Sequence, residues 1–189
     1  AADIASLDDD VAGDARIAAY RHPVPSARPW ERSLLLVTCA KRRGLIVSLS
    51  RIVCVGPVPD EMENKTAAAA FVNAVLWNLT RPGTAAADLY AAAARAYGTV
   101  GYAAELNNHH QGGAAGYRTR EWVAHPGCGE TVQPHQPFAW NPSITGTKIE
   151  ETVLVTDGGL EPLTASPKFP TIPVEIGGLT YHSPGILSV

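Results

Sequence analysis

The side chains best suited to chemistry in this chain fall in a few short stretches. Histidines stand in Arg21-His22-Pro23 and in His109-His110, just ahead of Gln111-Gly112-Gly113. Adjacent carboxylates occur at Glu150-Glu151, an amide at Asn141 before Pro142, and a cation beside an acid at Arg120-Glu121, soon after Tyr117. An imidazole titrates near neutrality and can both take and give a proton. Each group also has an ordinary role. His22 before proline can be a loop residue bonded to backbone, and His109-His110 can cap a turn. Arg120 fits a structural Arg–carboxylate pair as well as it fits substrate binding. Glu150 and Glu151 alternate in a strand-like run, so one faces inward and the other is expected at the surface. Arg51, between apolar runs in SLSRIV, is expected to form a buried or half-buried ion pair.

The elements that must hold these groups can be read from periodicity. Residues 1–32 read as loop, since RHPVPSARP carries three prolines. Two apolar runs, Leu34–Cys39 and Leu45–Val55, are separated by Lys41-Arg42-Arg43-Gly44 and read as a hairpin. A helix is expected from Asp60, its candidate N-cap, through apolar positions at helical spacing to the Arg81-Pro82-Gly83 stop. A second, Ala-rich helix is expected from a Thr84 cap to about Tyr97, closed by Gly98. Strand-like stretches follow at Glu121–Ala124, Thr131–Val132, Phe138–Trp140 and Glu151–Thr156, and Lys168–Val189 reads as strand and loop. The order of hairpin, two helices and further strands predicts an α+β fold. Gly112-Gly113 and Gly116 lack the strand–turn–helix setting of a phosphate loop, and no GxSxG elbow occurs.

Composition narrows the function class. The 189 residues suit one domain over 1–189, and the start without methionine is expected of a processed chain or a C-terminal portion of a longer protein. A net charge of −3 with 17% charged residues offers no polybasic face, so nucleic acid is not an expected partner. No apolar run reaches the ~20 residues of a membrane helix and the start lacks a basic leader, so a membrane is not expected either. Cys39, Cys54 and Cys128 read as reduced thiols of a cytoplasmic protein. The glycosylation-type triplets at Asn64 and Asn78 fall inside a helical pattern and read as chance matches.

HHQGGAAGYRTREW (109–122), QPFAWNPSITGTKIEETVLVTDGGLEPLT (136–164) and the upstream RHPVPSARPWERSLLLVTCAKRRGLIVSLSRIVCVG (21–56) resemble, in order and spacing, the two halves of the pita-bread metallopeptidase family. That family includes creatinase, prolidase, aminopeptidase P and methionine aminopeptidase. The resemblance covers about residues 20–165 and implies the pita-bread fold, with little room for the usual helices before the first strand pair.

Carried over by position, the family's histidine ligand matches His110, with His109 its neighbour, and its second glutamate matches Glu150. The first glutamate falls on Asn141, and the two aspartates fall on Ser48 and near Val37. A dinuclear site needs bridging carboxylates, so the resemblance implies a divergent member without metal or other cofactor. It implies His22, His110 and Glu150 as catalytic groups, with His109, Asn141, Glu151, Arg120 and Tyr117 binding substrate. The activity implied is a creatinase-type, metal-independent hydrolase or lyase acting on a C–N bond of a small polar molecule. The alternatives are a catalytically dead domain binding a peptide or protein partner, and an Xaa-Pro-type metallopeptidase with aspartates drawn from Asp8-Asp9-Asp10 or Asp60. A small-molecule or peptide ligand and a homodimer complete the expectation.

Overall fold

In the computed structural model, which describes residues 4–189, the chain starts with strand β1 (Ile4–Gly13) and a short helix α1 (Ala15–Ala19). The expectation of loop through residue 32 fails here. The prolines that suggested it all lie beyond α1, and β1 is held by antiparallel pairing with the next strand rather than by a local apolar pattern. The hairpin is present as β2 (Ser33–Arg42) and β3 (Leu45–Cys54). Arg43 and Gly44 both take positive φ, 51° and 89°, the two-residue turn that matches strand twist. Helix α2 (Asp60–Leu79) follows, then α3 (Ala86–Thr99), a 3₁₀ helix (Ala103–Asn108) and strand β4 (Gly112–Ala114).

Neither helix is capped as the sequence suggests. Pro59 and Ala85 occupy the N-cap positions without a side-chain bond, Asp60 is instead the first helical residue, and α3 runs through Gly98 to Thr99. Acids in the first turn of α2, Asp60, Glu61 and Glu63, still favour its positive end.

The second half is built of short strands. These are β5 (Trp122–Val123), β6 (Pro137–Trp140), β7 (Ser143–Ile144), β8 (Thr147–Lys148), β9 (Glu151–Thr156), β10 (Gly159–Pro162), β11 (Thr171–Ile176), β12 (Leu179–Pro184) and β13 (Ile186–Ser188). Thr131 forms only an isolated bridge with Ala85. One sheet has the order β1-β2-β3-β13, with β13 parallel to β3, and another the order β10-β9-β6-β4-β5. This mixed α+β architecture is the pita-bread fold.

The main core lies between the two helices and the five-stranded sheet, where Leu76, Leu89, Tyr97, Phe138, Trp140 and Val153 are buried. Each such apolar side chain contributes roughly 1.5–3 kcal/mol of burial. Two of its polar tips are paired: Trp140 Nε1 donates to Thr80 Oγ1 at 3.0 Å, and the Tyr97 hydroxyl, its pKa pushed up by burial, donates to Gln111 Oε1 at 2.8 Å. A smaller core under the first sheet gathers Ile17, Leu35, Val37 and Ile52. Gly112-Gly113 serve backbone approach. A Cβ at Gly112 would stand 2.2 Å from the Ala139 carbonyl oxygen, one at Gly113 2.1 Å from that of Trp122, and Gly112 adopts φ +107°.

The two sheets meet where β3 approaches the start of β9. The Ser50 amide donates to the Glu150 carbonyl at 3.1 Å, the Ser48 amide to Thr152 Oγ1 at 2.8 Å, and that hydroxyl back to the Ser48 carbonyl at 2.9 Å. This seam brings residues about 100 positions apart into one wall.

Candidate active site

A cleft of about 100 Å³ opens over the seam, lined by Asp10, His22, Val37, His110, Arg120, Asn141, Lys148 and Glu150 among others. Five of the expected site residues, His22, His110, Arg120, Asn141 and Glu150, therefore meet. His109 adjoins this group from the rim, its ring stacked on His110 at 4.4 Å between centroids.

The floor is an ion-pair network around Glu150. Glu150, buried at the start of β9, accepts from Arg120 Nη2 at 3.0 Å on one oxygen and from Ser50 Oγ at 2.7 Å on the other, with Lys148 Nζ 3.4 Å from that second oxygen. Burial would raise the Glu150 carboxyl, but Lys148 and Arg120 outweigh it and hold the group at about 2. Arg120 also donates to the Thr119 carbonyl at 2.6 Å, while its Nε has no partner. Asn141 is buried, and its side-chain oxygen likewise has none.

The rim is built of histidines. His22 Nδ1 lies 3.1 Å from Asp10 Oδ2, and because a carboxylate only accepts, Nδ1 carries the proton. With its proton on Nδ1, His22 offers Nε2 as an acceptor, 3.0 Å from His109 Nε2. That assigns the His109 proton to Nε2 and leaves its buried Nδ1 without a partner. Burial, with Lys148 nearby, pulls His109 down to about 3, and burial with Arg120 pulls His110 down to about 4. Both are neutral imidazoles at pH 7.

Two expected substrate-binding residues stand elsewhere. Tyr117 is 72% exposed on a loop, where its ring abuts Gly44. Glu151 points away from the cleft on the opposite face of β9, as strand alternation requires, but it is buried and not at the surface. It pairs with Arg51 Nη2 at 2.6 Å and accepts from the Thr164 hydroxyl, so the Arg51 ion pair expected from sequence is present. Burial raises the Glu151 carboxyl.

Lys148 was missed, and Asp10 was drawn from sequence only as part of the Asp8-Asp9-Asp10 triplet of the Xaa-Pro alternative. Lys148 lies two residues before Glu150, a spacing that puts both on one face of an extended chain. Asp10 is the cross-strand partner of Val37 in the β1–β2 register. The carboxylate absent from β2 is thus supplied on the same face by the neighbouring strand.

The donor set does not fit two bridged divalent ions. Asp10 supplies a carboxylate beside Val37 but is engaged by His22 Nδ1 at 3.1 Å, Ser48 Oγ is shared between Cys39 Sγ at 3.1 Å and Arg120 Nη1 at 3.4 Å, and Asn141 is neutral. Both oxygens of Glu150 are occupied by internal cations and a hydroxyl, whose positive field opposes a metal pair.

Residues 12–157 match the family model described as metallopeptidase family M24. The fold is similar to that of an X-Pro aminopeptidase from Thermotoga maritima, 19% identical, covering 97% of this chain and 49% of that one with a TM-score of 0.76. It is also similar to a prolidase from Pyrococcus furiosus, 20% identical over 86% of this chain and 50% of that one, TM-score 0.75. The N-terminal domain of the FACT complex subunit SPT16 from chickpea matches at 11% identity, over 86% and 43% of the two chains, TM-score 0.67. The chain spans about half the length of these structures. No curated protein matches it. No helix among the described residues is long and apolar enough to cross a membrane.

Proposed function

The chain belongs to metallopeptidase family M24, and from that membership we propose a hydrolase or lyase of the creatinase type that cleaves a C–N bond in a small polar molecule without the two-metal centre. The observation that carries this reading is the Asp10–His22 contact of 3.1 Å at the mouth of the cleft. A carboxylate on Nδ1 fixes the tautomer, orients the ring and stabilises the imidazolium that forms when Nε2 takes a proton.

A substrate or water that displaces His109 from His22 meets that Nε2 lone pair. In the hydrolytic form, water adds to the carbon of the C–N bond and gives its proton to His22. Protonated His22 then gives that proton to the leaving nitrogen as the bond breaks. The unpartnered Asn141 oxygen can accept from a substrate N–H, and the unpartnered Arg120 Nε can donate to a substrate oxygen. His110 and Lys148 complete the polar lining. Glu150 acts through its hold on Arg120 and Lys148, which makes it a positioning residue.

A second reading, a catalytically silent domain that binds a peptide or protein partner, is favoured by one feature: both oxygens of Glu150 are already engaged within the chain. An Xaa-Pro-type metallopeptidase would need the donor set that these residues do not supply. The first two readings separate on turnover. Purified protein is expected to release an amine or urea from a panel of amide and guanidino compounds in EDTA, and His22→Ala is expected to abolish release. Unchanged turnover in His22→Ala removes the mechanism, and no turnover across the panel favours the silent domain.

A further inference from the structure

The histidine rim has a property that the acid–base reading does not use. The ligand-capable nitrogens of His22, His109 and His110 all lie within 4.8 Å of one another. They come from two segments, the loop after α1 and the turn between the 3₁₀ helix and β4, which the fold brings together. We propose that His22, His109 and His110 form a binding site for one imidazole-preferring transition-metal ion, Zn²⁺ foremost, with an all-imidazole ligand set that shares only His110 with the family's carboxylate-bridged pair.

Metal–nitrogen bonds of about 2.0–2.1 Å in a tetrahedral site put ligand nitrogens ~3.4 Å apart. The His22–His109 nitrogens, at 3.0 Å, need to open slightly, and the other pairs, all within 4.8 Å, need to close by at most ~1.4 Å. The rings are already gathered, with centroids 4.4, 4.9 and 6.4 Å apart. Asp10 on His22 Nδ1 reproduces the carboxylate–histidine–metal arrangement that orients a ligand and raises its basicity. The proton that His109 carries on Nε2 can shift to its buried, unpartnered Nδ1, freeing Nε2 for the ion without adding charge. His22, with 58% of its side chain exposed, and the exposed His110 leave the fourth position open to water or a small anion. Three imidazoles and no engaged carboxylate select Zn²⁺, Cu²⁺ or Ni²⁺ over Mg²⁺ or Ca²⁺. The ion would occupy the lone pair of His22 Nε2 and so suppress the acid–base chemistry proposed above.

Metal-stripped protein titrated with Zn²⁺ against a chromophoric chelator tests this directly. One ion per chain is expected. Asp10→Asn should weaken binding by roughly 10- to 100-fold, and His109→Gln, which removes a ligand, by at least as much. Zn²⁺ should raise the melting temperature of the unaltered protein and not that of His109→Gln. If His109→Gln does not fold, His110→Gln takes its place in the same titration. Absence of stoichiometric binding, or equal binding by the unaltered protein and the ligand variants, overturns the site. Binding without any turnover in EDTA would sink the hydrolase reading alone, and turnover without binding would sink the metal site alone.

Discussion

The floor and the rim of the cleft lie side by side and are built on opposite terms. On the floor, Glu150 is buried and held by Arg120, Lys148 and Ser50. On the rim, the imidazoles of His22 and His109 face each other with a proton between them, and one nitrogen has no partner. A network of buried charges resists change, because breaking it strands an uncompensated ion. A partly exposed histidine cluster leaves lone pairs in reach of solvent and ligand. On the proposed reading, the floor balances Glu150 with the chain's own cations and the rim carries the acid–base chemistry.

The sharpest way to break that contrast is Glu150→Ala. It leaves Arg120 and Lys148 buried without their counter-ion and should cost roughly 3–5 kcal/mol in denaturant unfolding. A loss below about 1 kcal/mol would show that the floor is not a structural unit. On the rim, His22→Ala should shift stability by no more than about 0.5 kcal/mol while abolishing any C–N bond cleavage. Equal damage to stability from both substitutions would erase the distinction.

Acid should separate the two regions by pH. In the folded chain His109 and His110 stay neutral down to about 3 and 4, whereas an unfolded histidine takes its proton near 6.5. The unfolded state therefore binds more protons, and stability falls as pH drops from about 6.5 towards those values. Glu150 adds a second limb. Its carboxyl is depressed from 4.5 to about 2, so its contribution is full above 4.5 and is lost as pH falls towards 2. Melting temperature measured from pH 7 to pH 3 should decline throughout, and His109→Gln should flatten the upper limb. The smallest effect is expected from Tyr117→Ala, which removes an exposed ring outside the cleft and should change stability by less than about 0.5 kcal/mol and leave ligand binding alone.

The hairpin and both long helices were legible because their signals are local: period-two runs around Arg43-Gly44 and helical spacing ahead of Arg81-Pro82-Gly83. The Arg51 ion pair was legible from a cation set between apolar runs. Asp10 was named only within the Asp8-Asp9-Asp10 triplet, and its place opposite Val37 was not legible, since it depends on the β1–β2 register, a pairing of residues 27 positions apart. The helix caps were misplaced for a related reason. Asp60 and Thr84 have capping side chains, but the chain enters both helices through Pro59 and Ala85, and α3 is anchored by the Ala86 amide donating to the Glu130 carbonyl. Tyr117 misled because its motif position says nothing of which way a surface loop carries it. Glu151 misled in the opposite sense, since a residue on the far face of β9 is covered by the segment around Thr164 and Phe169 rather than by solvent.

The number of divalent ions held tightly per chain, measured for the unaltered protein and for His109→Gln, tests the account most directly. A floor closed by Arg120 and Lys148 predicts at most one ion, lost in His109→Gln. Two ions per chain that persist in the variant would place the family's metal pair on Glu150 and contradict it.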